Sequence, residues 1–397
     1  MKNFVFISPN FPDSYWKFCE ELKNNGMRVL GIGDAVYDEL KPELRNALHE
    51  YYKVSNLENY DEVFRAVAFL TYKHGKIDWL ESNNEYWLER DAKLRTEFHI
   101  TTGFMESDME KVKNKSAMKA YYANAGIPTA RYHLVDTYEE AAAFAAKVGY
   151  PVVVKPDNGV GASSTYRLKS DEELQYFMAT KHAGVQYVME EMVKGVVCTY
   201  DAIIGAKGQV LFESGNVTPC SLMDVVNDNS ESLYYLHKEV PEDIRDVGTR
   251  TVAAFGVKSR FVHLEFFRLT EDQEGLGKAG DLIGLEVNMR PAGGYTPDMY
   301  NYAYETDVYK IWADMIAFDE SKKPLGKRHY CTFMGRRDGV SYKMDHNAVM
   351  EKYGHCMKIQ RRLPDALAGA MGNIIYVVNL ETEEERDAFF RDLMERA

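Results

Sequence analysis

Residues 150–166 read YPVVVKPDNGVGASSTY. Val152, Val153 and Val154 form a short unbroken apolar run, the pattern of a strand buried on both faces. Lys155 closes the run, and a loop of small residues follows: Gly159, Gly161, Ala162, Ser163, Ser164 and Thr165. Small side chains let successive backbone N–H groups approach an anion closely, and phosphate is the ligand class this suits. In a Walker A loop the lysine follows the glycines and a helix begins at once. Here the lysine comes first, and Thr165-Tyr166-Arg167-Leu168 has the pattern of a second strand. The spacing therefore predicts a hairpin lid over phosphates. Taken by itself, the stretch also fits an ordinary exposed hairpin with an incidental lysine.

Two other kinds of patch bear on that choice. Val188-Met189-Glu190-Glu191-Met192-Val193-Lys194-Gly195 reads as a strand that runs into a linker. Its carboxylates can accept from an adenine amino group while the linker backbone reads the ring edge. A solvated acidic strand end is the alternative. Further on come His263-Leu264-Glu265 and Gly284-Leu285-Glu286-Val287-Asn288-Met289-Arg290-Pro291. Strand alternation places Glu286, Asn288 and Arg290 on one face. Two carboxylates and a carboxamide oxygen are the hard ligands Mg²⁺ prefers, with phosphates and water completing its shell. Directing such groups inward is costly without partners, and a structural salt-bridge cluster is the other way to supply them. His263 fits a hydrogen-bonded histidine and is left outside the metal set.

The elements that carry these residues follow from the pattern along the chain. Residues 3–8 read as a strand, 13–25 as a helix and 27–32 as the next strand, a βαβ opening with parallel pairing. Ser8-Pro9-Asn10-Phe11-Pro12 is a poor phosphate cradle because proline lacks an N–H. Gly31-Ile32-Gly33 lacks the third glycine of a dinucleotide fingerprint. Helices are predicted at 63–72 and 85–97, with a strand at 77–80 between them. Residues 107–125 read as a single helix, on which Lys115 and Lys119, four apart, share a face. Strands at 131–135, 152–154, 165–168 and 186–190 and helices at 138–147 and 171–180 make a small α+β unit. A hairpin is expected over 200–213, a polar loop over 214–232, a helix over 241–255, strands near 261–269 and 282–288, and a helix over 307–317. The tail from Lys322 alternates short strands and helices, ending in a strand at 373–378 and a charged helix from Thr382.

Composition narrows the function classes. The chain has 397 residues, 48 Lys plus Arg against 61 Asp plus Glu, and a net charge of -13. That balance argues against a nucleic-acid surface, which usually carries a basic stripe. No apolar stretch approaches a membrane span or a signal h-region. Cys19, Cys198, Cys220, Cys331 and Cys356 are odd in number and scattered, so neither a disulfide framework nor a zinc site is expected. A cytoplasmic protein with small-molecule partners, no nucleic acid and no membrane is the expectation.

Lys115, the VVVKP strand with its glycine and serine loop, the EEMV linker and the E…EVNMRP pair stand in the order seen in ATP-grasp enzymes. The chain resembles their carboxylate–amine ligase branch, whose relatives include carbamoyl-phosphate synthetase large chains, biotin carboxylases and amino-acid ligases. The resemblance covers roughly residues 110–318. It implies an α/β and α+β fold in four parts: a Rossmann-like α/β domain over 1–112, a small ATP-grasp subdomain over 113–193, a central subdomain with the metal site over 194–318, and a small α+β C-terminal subdomain over 319–397. By resemblance, Lys115 and Lys155 hold the α- and β-phosphates of ATP. Gly159, Gly161, Ala162, Ser163, Ser164 and Thr165 close over the β- and γ-phosphates, and Glu190, Glu191, Met192 and Val193 surround the adenine. Glu265, Glu286 and Asn288 bind Mg²⁺ (or Mn²⁺), Arg290 steadies the acyl phosphate, and Gly293 and Gly294 admit the carboxylate. Many family members carry a ribose-binding glutamate two residues after the linker glycine, where this chain has Val197. The implied activity is ATP-dependent ligation of a carboxylate to an amine, and the resemblance makes a homodimer a reasonable expectation although the sequence itself does not encode the oligomeric state. A nucleotide-binding regulatory paralogue and a biotin- or bicarbonate-dependent carboxylase are the alternatives.

Overall fold

A computed structural model describes residues 1–159, 164–219 and 230–397. The chain opens with β1 (Asn3–Ile7), the helix Trp16–Asn24 and β2 (Arg28–Gly33), as the apolar pattern predicts. β3 (Glu50–Lys53) and β4 (Trp79–Glu81) complete a parallel sheet in the order β3-β2-β1-β4. Every β1 residue is buried, as a strand covered on both faces requires. The strand order reverses between β1 and β4, and their carboxyl ends flank the kind of crevice in which open α/β sheets hold ligands. Glu85 lies in the loop after β4, because the helix predicted over 85–97 begins only at Leu88.

The single helix expected over 107–125 is broken. Met109–Lys113 and Lys115–Asn124 are separate helices, and Asn114 between them is extended, with φ -88° and ψ 114°. A tertiary contact overrides the helical pattern: Asn114 bridges to Asn158, and Lys115 N donates to Asp157 O at 2.9 Å. Asp157 then caps the second helix from a distance, accepting from Ser116 N at 2.7 Å and Ser116 Oγ at 2.8 Å.

The small sheet contains β5 (Tyr132–Val135), β6 (Val152–Pro156), β7 (Tyr166–Leu168) and β8 (Tyr187–Glu191), in the antiparallel order β5-β8-β6-β7. Helices Tyr138–Val148 and Asp171–Thr180 cover one face of it, packing on Val152, Val154, Tyr187 and Met189. The pleat sends Val153, Lys155 and Glu190 to the other face, with Val153 directly opposite Glu190.

The large sheet contains β9 (Gly195–Ile204), β10 (Val210–Ser214), β11 (Asn216–Thr218), β12 (Ser232–Leu236), β13 (Arg260–Leu269), β14 (Leu282–Asn288), β15 (Tyr330–Arg336), β16 (Met357–Arg362) and β17 (Ile374–Leu380). Its order is β14-β13-β9-β11-β12-β15-β17-β16, with β10 also paired to β9. The expected β9–β10 hairpin forms. β11 lies in the stretch read as a polar loop and β12 begins at its last residue, Ser232, and the two strands are the link to the tail. β12 pairs with β15, so the tail strands extend the central sheet. The helix Thr296–Tyr304 has no amphipathic signature because it is buried on nearly every side, and Pro297 stands in its first turn.

An aromatic cluster joins the front sheet to the central part. Phe18 meets Trp312 and Tyr309 of the helix Val308–Phe318 at ring-centroid distances of 4.9 and 4.7 Å, and Phe4 meets Trp312 at 5.7 Å. Trp312 is 1% exposed. Trp312→Ala should therefore cost about 3–5 kcal/mol through lost burial and the cavity left behind. Denaturant unfolding is the check, and a loss below about 1 kcal/mol would show that the two parts are not held together here.

Candidate active site

Lys155 lies one residue before the end of β6 on the open face of the small sheet, and Glu190 of β8 lies diagonally beside it. Lys119 reaches the same carboxylate from the helix Lys115–Asn124. Glu190 Oε1 is 2.6 Å from Lys119 Nζ, and Oε2 is 2.7 Å from Lys155 Nζ. Burial pushes the Glu190 carboxyl up, but the two ammonium groups outweigh it and hold it down at about 2. Burial likewise pulls the Lys155 ammonium down, and Glu190, then Glu286, raise it above its ordinary value. Lys115, one helical turn before Lys119, points to the other side of the cleft. Its Nζ is 3.4 Å from Glu286 Oε1 and donates to Gly159 O at 3.2 Å.

Glu265 and Glu286 face each other across β13 and β14. Like charges directly opposite on neighbouring strands repel. The Glu286 carboxyl is raised by burial and by Glu265, against the lowering effect of Lys115. Around the pair, Asn288 Nδ2 donates to Glu265 Oε1 at 3.0 Å, and Arg290 NH2 donates to Asn288 Oδ1 at 3.3 Å. Both carboxylates keep about a quarter of their side-chain surface open. Two repelling carboxylates beside an amide oxygen fit a hard divalent cation that takes its other ligands from outside the protein. No group of three or more His, Cys, Asp or Glu makes a metal cage among the described residues. His263 lies 2.5 Å from Asp201 Oδ1 and 3.4 Å from Glu265 Oε1. Burial alone would lower the His263 imidazole, but Asp201 and then Glu265 raise it to about 9. It bridges Asp201 and Glu265.

The front sheet reaches into the same place. Glu85 Oε1 accepts from Lys113 Nζ at 2.6 Å, and Oε2 lies 3.6 Å from Arg290 Nε. Arg290 NH1 also donates to Pro291 O at 2.9 Å. The guanidinium is thereby held between the carboxylate strand and the crevice of the front sheet.

The structure thus gathers Lys115, Lys155, Glu190, Glu265, Glu286, Asn288 and Arg290 around one cleft. Gly161, Ala162 and Ser163 lie outside the described residues, whereas Gly159, Ser164 and Thr165 flank the loop. Gly293 and Gly294 are exposed, Gly294 with φ +62° and with Met371 over it. The Glu190 and Glu191 carboxylates, expected to accept from a base, are both engaged by cationic side chains. Glu190 is committed to two lysines, and Glu191 takes Arg131 NH2 at 2.6 Å, Arg131 Nε at 3.0 Å and Arg131 N at 2.7 Å. Gln273 clips the linker after them, donating to Met192 O at 2.8 Å and accepting from Lys194 N at 3.0 Å. Sequence reasoning missed Glu85, Lys113, Arg131, Asp157 and Gln273. Glu85 lies in the loop after β4, where the sheet order reverses, and none of the five carried a local signal in the sequence.

Residues 110–195 match the family model of the carbamoyl-phosphate synthase L chain, ATP binding domain. An L-arginine-specific L-amino acid ligase of Bacillus subtilis is 25% identical over 256 residues, 62% of this chain and 60% of that protein. The match thus spans less than two thirds of that relative's length. Among solved structures, an L-amino acid ligase from Bacillus licheniformis superposes with a TM-score of 0.68 at 18% identity, covering 98% of this chain and 96% of that one. The biotin carboxylase domain of the Hydrogenobacter thermophilus 2-oxoglutarate carboxylase, in complex with MgADP, ADP and bicarbonate, gives 0.69 at 15% identity, covering 99% and 89%. These likenesses establish the fold.

The repulsion between Glu265 and Glu286 makes a direct test possible. Glu286→Gln keeps the size of the side chain and removes the disfavoured charge. Its unfolding temperature without metal should stay within about 2 °C of the parent's. The parent should gain stability with millimolar Mg²⁺, and the variant should not. Thermal unfolding with and without Mg²⁺ reads both effects, and equal responses of the two proteins would deny the pair a metal role.

Proposed function

We propose that this chain, an ATP-grasp protein by fold and by motif, is a ligase that uses ATP and Mg²⁺ to join a carboxylate to an amine. The observation that carries this reading is the contact of Lys115 with Glu286, 3.4 Å apart. A cation suited to phosphate and a carboxylate suited to a metal meet there, between Lys155 on one side and Arg290 on the other. In this reading Lys115 and Lys155 hold the α- and β-phosphates, and the loop at 159–165 covers the β- and γ-phosphates. The linker backbone at Met192 and Val193 lies against the adenine. Glu265, Glu286 and Asn288 hold Mg²⁺, which supplies neutralisation of the phosphate charge.

The chain's own groups position and neutralise, which is most of what phosphoryl transfer requires. A carboxylate oxygen attacks the γ-phosphorus and ADP departs, leaving an acyl phosphate. The amine nitrogen then attacks the acyl carbon, phosphate leaves with the bonding pair, and the amine proton is lost. Arg290 offers a planar fork to the carboxylate and to the charge that develops on it. Its contacts with Asn288 and Glu85 keep that fork from swinging away. The loop's second task is to exclude water, since an acyl phosphate hydrolyses readily. Gly293 and Gly294 leave room for the carboxylate beyond Arg290. The L-amino acid ligases among the related proteins support amino acids as the substrate class.

The deciding assay is release of ADP and phosphate with pairs of amino acids. Release only when a carboxylate and an amine are both present supports the ligase, whereas release with bicarbonate alone would favour a carboxylase. Within that assay, Arg290→Lys should bind ATP nearly as the parent does yet lose about 2–4 kcal/mol in the chemical step at saturating substrate. If ATP affinity collapses while turnover of the bound enzyme is unchanged, Arg290 belongs to the nucleotide site instead.

A further inference from the structure

Lys119 has no place in the ligand assignments above, yet it is 6% exposed and ends in an ion pair beside Lys155. Its ammonium touches Glu190 Oε1 at 2.6 Å and sits 5.3 Å from the centre of the Tyr132 ring. The other oxygen of Glu190 is bonded to Lys155. Both oxygens of one buried carboxylate are therefore shared between two lysines that arrive from different elements, one from a helix and one from a strand.

We infer that Lys119 is a positioning residue for the nucleotide site: acting through Glu190, it fixes the Lys155 ammonium and leaves that group's charge available to an incoming phosphate. The reasoning is electrostatic. If Glu190 had Lys155 as its only partner, the two would form a closed, neutral pair, and a phosphate would have to compete with the carboxylate for the lysine. Lys119 takes up one oxygen, so the trio keeps one positive charge in excess. It also stops the Glu190 side chain from turning both oxygens toward Lys155. The geometry suits this division of labour, because Lys115 and Lys119 leave the same helix one turn apart. Lys115 goes to the carboxylate pair and Lys119 to Glu190. The helix thereby sets the charge on both walls of the cleft at once.

The inference rests on the proposed ATP reading, and its test separates the two. Calorimetry of the full-length protein with Mg²⁺ and a non-hydrolysable ATP analogue comes first. A parent that binds no nucleotide overturns the reading itself. If the parent binds, Lys119→Met should weaken affinity about tenfold or more, because the trio becomes neutral, whereas Lys119→Arg should stay within about threefold. Turnover at saturating ATP should fall less than about threefold in Lys119→Met, which puts the loss in KM. The decisive comparison is Glu190→Gln against Lys119→Met/Glu190→Gln, which remains usable if Lys119→Met alone does not fold. Once the carboxylate is gone, removing Lys119 should change affinity less than about threefold. A tenfold loss in that background would overturn the inference, since Lys119 would then act directly or only through the fold. Parental affinity in a folded Lys119→Met would overturn it as well.

Discussion

Charge taken out of water has to be matched where it lies, and the cleft of this chain is arranged around that requirement. Glu85, Glu190 and Lys113, Lys115, Lys119 and Lys155 are all less than a tenth exposed. Each is paired with a group from another part of the chain: Lys113 with Glu85, Lys115 with Glu286, and Glu190 with Lys119 and Lys155. The partners come from the loop after β4, the helix Lys115–Asn124, β6, β8 and β14. The ion pairs therefore tie the front sheet, the small sheet and the large sheet together at the place where a ligand would bind. Buried pairs of this kind add little net stability over apolar packing, but losing one partner strands the other. Stability comes instead from the apolar clusters behind the cleft, which include the contacts of Phe18 with Tyr309 and Trp312.

The exception to this matching explains the site. Glu265 and Glu286 stand opposite one another, and among the described residues their ion pairs are to different side chains, His263 and Lys115. His263 and Asn288 support Glu265, and Lys115 supports Glu286, yet the Glu286 carboxyl is still lifted above its ordinary value. Groups whose environments push their protonation in opposite directions cluster at functional sites. The repulsion left at this pair is of the kind that a divalent cation would relieve.

The sequence carried the local parts of this arrangement well. The VVVKP run, the E…EVNMRP strand pair and the βαβ opening each depend on contacts within a few residues or on unbroken apolar patterns, and they appear in the structure nearly where the spacing put them. Features decided at long range were illegible. Helical periodicity runs straight through Asn114, and the bridge to Asn158 that breaks it has no local trace. β11 has three residues, too few for an alternating pattern to show, yet it and β12 carry the central sheet into the tail. The partners of Glu190 and Glu191 had no local trace either, because Lys119, Lys155 and Arg131 reach them from separate elements.

The long-range contacts also couple parts that would otherwise move independently. Asp157 stands at the root of the glycine loop and holds the first turn of the helix that carries Lys115 and Lys119. On the far side, Gln273 and the Lys194–Glu271 ion pair clip the linker at the end of β8 to the loop between β13 and β14. The small sheet is thus held at both ends: at one by the helix that feeds lysines into the cleft, at the other by the hairpin that bears Glu265 and Glu286. A displacement of the small sheet toward the cleft would carry Lys155 and Glu190 with it. The Asp157 cap would hand that movement to the start of the Lys115–Asn124 helix. Asp157 therefore ties the end of β6, where Lys155 sits, to the first turn of the helix that carries Lys115 and Lys119, so a change at Asp157 reaches both lysine-bearing elements at once.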